Sequence, residues 1–223
     1  MRLVRLLFVA LALSFALPAG AANVQLGVLA GFNFSSLNID GKSHMEGRSS
    51  FAAGGVVDWG LNDRIGIRIE PTFVSKGGKA TQRNSYWGTI DGAVFKLDYI
   101  DVPVLARFDL AATETHGYLL GGVAVSFATS QKVELSQANT HETVDFGNVF
   151  SPTDVSLDLG AGVGFPLGSN QMTVDGRAAI GLMNINNGGT VTLGGNPLAV
   201  PSTSTHTLDF RLFATYLFPL SRK

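Results

Sequence analysis

Eight segments of the chain alternate apolar and polar residues with a period of two, and this pattern constrains the fold more than any other feature. In Thr153–Leu167, Leu157 and Leu159 fall on one side of the backbone and Asp158 on the other. Because successive side chains of a β-strand point to opposite faces, each such segment is predicted to be a strand. The segments are Val24–Phe34, Ser50–Trp59, Arg64–Val74, Tyr99–Asp109, Gly117–Ala128, Thr153–Leu167, Met172–Met183 and Thr205–Phe218.

The connections between these segments alternate between long and short. The short ones are Leu61–Asp63, Ala111–Thr115 and Gly168–Asn170. The long ones are polar and comprise Ser35–Ser49, Gly77–Gly92, Gln131–Pro152 and Asn186–Ser204. This regular alternation is typical of a barrel with tight turns at one rim and long loops at the other. We therefore predict an all-β fold, an eight-stranded antiparallel up-and-down barrel.

The charged residues on the polar faces of the strands help to decide whether the polar or the apolar faces point into the barrel. In a soluble barrel the apolar faces would have to fill an interior that is only just wide enough for side chains. If the apolar faces contact lipid instead, opposite charges pair inside a narrow lumen. The glycines Gly160, Gly162 and Gly164 would then leave room for arginines from other strands. We predict a transmembrane barrel, with a soluble periplasmic barrel as the alternative.

Both signs of charge occur at mid-strand depth, which predicts a network of ion pairs in the lumen. Its predicted members are Arg68, Glu70, Asp101, Arg107, Asp158, Asp175, Arg177, Asp209 and Arg211. The network is interpreted as a structural plug, and a narrow path for small ions or solutes is the alternative. Aromatic residues near the strand ends, such as Phe34 and Trp59, are expected to form the girdles of a membrane barrel. The register of the fifth segment stays open, because apolar residues occur on both of its faces: Tyr118 and Leu120 on one, and Leu119, Val123, Val125 and Phe127 on the other.

The N-terminus has the three parts of a secretory signal peptide in order. Arg2 and Arg5 are followed by the apolar run Leu6–Leu17 and then by small residues up to Ala22. We predict that residues 1–22 are a signal peptide and that residues 23–223 form the barrel domain. An uncleaved membrane anchor is the alternative, but the apolar run is shorter than the roughly 20 residues of a spanning helix. Cysteine is absent, so disulfides, thiol catalysis and thiolate metal sites are excluded.

Several of these segments resemble one known family, the bacterial outer-membrane β-barrel domain proteins, often labelled porin-family. The residues that carry the resemblance are "GVLAGFNFSSLN" in the first segment, Glu70-Pro71 in the third, the run Tyr99–Pro103 in the fourth, and "GAGVGF" and "VDGRAAIGLMNI" further on. The resemblance implies an outer-membrane barrel surrounded by lipid, with short periplasmic turns and long extracellular loops. It also implies insertion by the barrel-assembly machinery, which commonly reads a terminal aromatic residue. Here Pro219–Lys223 follow Phe218, so we expect Phe218 or Tyr216 to be the aromatic residue that the machinery recognises.

Candidate catalytic residues are few. His116 lies beside a short turn and His206 at a strand start, while His44 and His141 lie in long loops. A metal or catalytic pair of loop histidines would support a lipid-modifying enzyme, but solvated loop histidines are favoured, and no cofactor is predicted. The balance of 16 basic and 17 acidic residues gives no general basic field for nucleic acid. We expect a non-enzymatic outer-membrane protein with exposed loops, acting in adhesion or envelope integrity, its extracellular ligand unknown.

Overall fold

A computed structural model describes residues 24–39, 45–81, 92–137 and 140–220. These residues form twelve strands. The strands are β1 (Val24–Ile39), β2 (Arg48–Gly60), β3 (Ile65–Ile69), β4 (Thr72–Thr81), β5 (Gly92–Asp109), β6 (His116–Gln137), β7 (Thr140–Asp145), β8 (Thr153–Leu167), β9 (Asn170–Gly181), β10 (Gly189–Leu193), β11 (Asn196–Val200) and β12 (Thr205–Pro219). The predicted signal peptide and His44 lie outside the described residues.

The strands close into a ring of eight, which confirms the predicted barrel. Each neighbouring pair is antiparallel, and β1 pairs with β12 as well as with β2. Strands β3 and β4 share one place in the ring between β2 and β5, followed by β6, β8, β9 and β12. Closure leaves the ring without a free edge, so the backbone groups of the wall are paired with each other. No helix that the structure describes is long and apolar enough to cross a membrane.

The short connections lie together at one end of the ring, here called the turn end. In the first, the Asn62 side chain accepts hydrogen bonds from the backbone N–H groups of Arg64 and Ile65, both at 2.9 Å. In the third, Gly168 has φ 65°, the conformation that a two-residue hairpin turn requires at its first position. Local side-chain and glycine chemistry therefore sets the tight turns at this end.

Three details of the ring differ from the sequence prediction or complete it. The third predicted strand is interrupted at Glu70-Pro71, although β3 and β4 continue in one register against β2. The fifth has a defined register, with Tyr118 buried and Leu119 exposed. The long connections are partly strand, because β1, β4, β5 and β6 run beyond the predicted bounds and β7 adds a strand to β6.

The outer wall of the ring is apolar along its middle. Exposed side chains there include those of Val28, Phe73, Val104, Leu159, Val174 and Phe210. These are the faces that the alternation assigns to lipid. The inner wall carries buried polar and charged residues, interspersed with apolar ones that the sequence prediction did not place in the lumen. The latter are Leu29, Leu105, Tyr118, Leu120, Phe213 and Leu217.

Candidate functional site in the barrel lumen

Buried ion pairs cross the lumen toward the turn end. Arg177 of β9 binds both carboxylate oxygens of Glu70 with Nη1 and Nη2, and its Nε donates to Asp175. Arg68 donates to Asp58 at 2.7 Å and lies 3.7 Å from Asp175. Because β3 and β9 occupy opposite places in the ring, these contacts span its diameter. We call this group the turn-side cluster.

A second group of charges lies closer to the loop end, and we call it the loop-side cluster. Arg211 donates to Asp101 at 2.6 Å and lies 3.4 Å from both Asp158 and Asp209. Lys76 donates to Asp154 at 3.2 Å. Hydroxyl groups complete the coordination of the carboxylates: Ser126 donates to Asp101 at 2.6 Å, Thr207 to Asp154 at 2.8 Å and Ser156 to Asp158 at 2.8 Å.

The structure places the nine sequence-predicted residues in these two clusters or at their rim. Arg68, Glu70, Asp175 and Arg177 are in the turn-side cluster, and Asp101, Asp158, Asp209 and Arg211 are in the loop-side cluster. Arg107 lies at the turn-end mouth, where its guanidinium donates to Asp58 at 2.5 Å and to Asp109 at 3.1 Å. All of them except Arg107 are at most 2% exposed, so the charges depend on one another rather than on water.

Sequence reasoning left out four charged residues that belong to this network: Asp58, Lys76, Asp109 and Asp154. Lys76 continues the inward parity of Arg68 and Glu70, but the predicted strand ended at Val74, two residues before Lys76, whereas β4 continues to Thr81. Asp154 shares the inward face with Asp158. Extending the third segment by two residues would have found Lys76, whereas Asp154 already lay on the polar face of the predicted segment Thr153–Leu167.

Two glycines of β8 provide the space that Arg177 and Tyr118 occupy. A Cβ atom added to Gly160 would lie 2.7 Å from Cγ of Arg177, and one added to Gly162 would lie 2.5 Å from Cζ of Tyr118. The Tyr118 hydroxyl in turn donates to Asp175 at 2.9 Å. Thr153–Leu167 is therefore a wall strand whose inner face is flat where the turn-side cluster is bulkiest.

The inner wall changes from charged to apolar toward the loop end. On β5 the inward residues pass from Asp101 through Tyr99 to Leu97 and Phe95, while the outward residues pass from Ile100 to Asp98 and Lys96. At the loop end the inward residues form a buried apolar group that we call the loop-end cap. Its members are Leu37, Phe95, Leu97, Val133, Leu135, Val144, Phe146, Val149, Phe150 and Ile185.

The cap is organised around three phenylalanines. Phe95 makes edge-to-face contacts with Phe146 and Phe150, with ring centroids 6.5 and 6.1 Å apart. Phe146 and Phe150 stack on each other at 5.9 Å. The β5–β6 pairing shifts by one residue at Asp98/Tyr99. At this level the outward side chains change from apolar to polar, and the inward side chains change from polar to apolar.

The turn end of the lumen opens into a polar cavity of about 240 Å³. Asp58, Asp63, Arg107 and Asp109 line it, together with polar and small residues of the strand ends. The lumen is thus polar and open toward the turns, and it is lined by apolar side chains toward the loops.

Three histidines are described, and one of them, His206, lies at the start of β12 with Nε2 3.2 Å from the hydroxyl oxygen of Ser204. His116 lies at the start of β6, at the turn end, with Nε2 3.5 Å from Asp109 Oδ1, whereas His141 lies in β7 at the loop end and contacts Ser136. Within the residues that the structure describes, no three His, Cys, Asp or Glu side chains are grouped as a metal site would need.

A family model described as "Outer membrane protein beta-barrel domain" matches residues 15–187 of the chain. No curated protein matches the chain at a significant level. Among solved structures, the chain is similar to a major outer membrane protein from Thermus thermophilus, with a TM-score of 0.52, 14% sequence identity, and coverage of 87% of this chain and 99% of that one. At this identity the similarity concerns the barrel fold alone.

Two further solved structures resemble the chain at lower TM-scores. The outer membrane protein OprG from Pseudomonas aeruginosa has a TM-score of 0.48 and 14% identity, with coverage of 89% of this chain and 97% of that one. Ail, the attachment invasion locus protein of Yersinia pestis, has a TM-score of 0.45 and 17% identity, with coverage of 87% and 98%.

Proposed function

The chain belongs to the outer membrane protein beta-barrel domain family, and we propose that it is a sealed, non-enzymatic barrel that carries a folded contact platform at the cell surface. As an outer membrane protein it is embedded in membrane lipid. The turns face the periplasm and the extended loop end faces the outside. The proposal concerns what that outer end and the filled lumen do.

The observation that carries the proposal is the exchange of the two wall faces along β5 and β6. Below the Asp98/Tyr99 irregularity the outward side chains, such as Val104 and Val123, are apolar, and the inward ones include the charged Asp101 and the polar Ser126. Above it Lys96, Lys132 and Glu134 point outward, and Phe95 and Val133 point inward. An apolar core with a charged exterior is the arrangement of a water-soluble β-structure, so this part of the chain is suited to stand in water above the lipid.

The dimensions support a platform rather than flexible loops. Strand β6 continues to Gln137, beyond Phe127 on the lipid-facing side. Ten residues of a tilted strand at ~3.3 Å per residue rise about 25 Å. The cap packs beneath this extension, and the β10–β11 hairpin contributes Val191 and Val200 to the same core. A preformed surface of this kind binds partners without first having to be ordered.

The filled lumen and the positions of two histidines support a barrel that is sealed and non-enzymatic. The ion pairs cross the diameter of the ring and the apolar cap lies above them, which disfavours a continuous water path. His116 and His141 lie at opposite ends of the barrel, so these two residues do not share a site.

Conductance in planar lipid bilayers tests the sealed barrel. The purified protein is expected to insert without steady single-channel currents. A stable current that disappears in boiled samples would contradict the seal and favour the narrow pore instead.

Attachment of whole cells tests the contact role. Cells that lack the protein should adhere less to matrix-coated surfaces. Expression of the wild-type chain should restore adhesion, and expression of a cap variant, Phe95→Ala, should not. Normal adhesion combined with increased detergent sensitivity in the deletion strain would contradict a contact role and support a role in envelope integrity.

We further propose that the barrel-assembly machinery reads the aromatic residues of β12. Tyr216 and Phe218 point outward at the periplasmic end of this strand and are 37% and 40% exposed. Replacement of Phe218 by alanine should lower the amount of folded protein in the outer membrane, whereas replacement of Leu220 should not. Equal levels for both variants would contradict this assignment.

A further inference from the structure

The cavity at the turn end of the lumen has an excess of negative charge. Asp58, Asp63 and Asp109 line it, and Arg107 is the one cationic side chain among the described lining residues, while Arg68 reaches Asp58 from inside the lumen. Arg107 is already engaged, because Nη1 donates to Asp58 at 2.5 Å and Nη2 donates to Asp109 at 3.1 Å. A ligand that enters this cavity therefore meets a site that favours a cation.

One carboxylate oxygen in the cavity wall has no donor. Asp109 is 5% exposed, and its Oδ1 accepts no hydrogen bond from any residue that the structure describes. Nε2 of His116 lies 3.5 Å from this oxygen. A buried carboxylate oxygen without a donor is costly, so a donor supplied by a ligand would be stabilised there.

The shape and lining of the cavity limit the class of ligand. Its volume of about 240 Å³ lies below the range of pockets that hold drug-sized molecules. A primary ammonium group is compact and carries three N–H donors, which matches one free acceptor among several carboxylates. The amides of Gln25, Asn62 and Gln171 line the same cavity and offer further polar contacts to a chain that follows the ammonium group.

We propose that this turn-end cavity is a binding site for a primary ammonium group on an unbranched carbon chain. The shared chemistry has two sources in the periplasm: a free polyamine or the lysine side chain of a polypeptide. The site goes beyond the proposed surface role, because it lies at the opposite end of the barrel and needs neither the cap nor the platform.

Isothermal titration calorimetry on the purified full chain in zwitterionic micelles at low ionic strength tests the site. The probes are spermidine, a capped Gly-Lys-Gly peptide and uncharged 1,5-pentanediol. We expect saturable binding of one ammonium probe per chain and no binding of the diol. Tighter binding of spermidine would assign the site to free polyamines, and tighter binding of the peptide would assign it to a polypeptide partner.

Three variants make the result specific. Asp109→Asn and Asp63→Asn should each weaken binding by about tenfold, because each removes one charge next to the ammonium group. Glu134→Gln removes a charge of the same sign at the other end of the barrel and should bind as the wild type does. Folding of every variant is checked by the gel shift between unheated and heated samples.

Several results would overturn the proposal. They are the absence of saturable binding by either ammonium probe, equal weakening by Glu134→Gln, or binding of the diol comparable to that of the amines. Asp63 lies in an exposed turn, so Asp63→Asn decides the matter if Asp109→Asn does not fold. Unchanged affinity in Asp63→Asn would then overturn the proposal.

Discussion

The charged middle of the lumen and the loop-end cap are built on the inward faces of the same strands, yet their chemistry is opposite. On β5, Asp101 binds Arg211 across the lumen, and Phe95 packs against Phe146 and Phe150 six residues further up. The difference follows from what surrounds the barrel. Where the outside is lipid, the apolar side chains go outward and polar ones fill the interior; where the outside is water, the order is reversed.

The comparison also separates two ways of filling an interior. In the lumen each charge is matched by an opposite charge, either across the ring, as in Arg177–Glu70 and Arg211–Asp101, or on the same or a neighbouring strand. In the cap the apolar side chains are held by close packing against one another. Loss of one partner therefore leaves a buried charge in the lumen but only a cavity in the cap.

Removal of Arg177 should give the largest effect. The change Arg177→Ala leaves Glu70 and Asp175 buried without their principal cation, and we expect a loss of about 3–5 kcal/mol in the free energy of unfolding. Urea unfolding in micelles, followed by tryptophan fluorescence, measures it. A loss below about 1 kcal/mol would show that the turn-side cluster is not a structural element of the barrel.

Truncation in the cap should destabilise the loop end and spare the ring. Phe95→Ala removes the ring that contacts both other phenylalanines and should cost about 3 kcal/mol locally. Limited proteolysis should then cleave the loop end faster, while the gel shift of the unheated barrel persists. Simultaneous loss of the gel shift would show that cap and ring unfold as one unit.

A methyl group on the flat face of β8 should have an intermediate effect. Gly160→Ala places a Cβ against Arg177 and should cost about 1–3 kcal/mol. The matched control is Gly121→Ala, where the added Cβ makes an ordinary contact at 3.4 Å with Leu159 on the outer wall. Equal stabilities of the two variants in urea unfolding would contradict the spacing role of Gly160.

The smallest effect is expected on the outer surface of the platform. Lys96 pairs with Glu134 at 2.5 Å, but the two side chains are 38% and 42% exposed. Lys96→Ala should therefore change the free energy of unfolding by less than about 1 kcal/mol, and added salt should reduce the difference. An effect as large as that of Arg177→Ala would mean that this pair is shielded from water.

Alternation of residues predicted the ring because a membrane strand keeps one apolar face along its whole length. Arg68 and Arg177 could be placed in the lumen for that reason. Lys76 could not, since the outward apolar face stops at Phe73 and the strand continues with a different pattern. The cap residues Phe146, Val149 and Phe150 have no period at all, because they pack from irregular chain between β7 and β8. Their burial depends on contacts with distant strands, which sequence periodicity does not report.

The accessibility of single cysteines on β5 most directly tests the change of its outward face from lipid-facing to water-facing. The chain has no cysteine of its own, so each introduced thiol is labelled unambiguously. Intact cells carrying Lys96→Cys or Val104→Cys are treated with a membrane-impermeant maleimide, and both variants are labelled after denaturation as the control. We predict that Lys96→Cys is labelled on cells and that Val104→Cys is protected by lipid. Labelling of Val104→Cys, or protection of Lys96→Cys, would contradict the account.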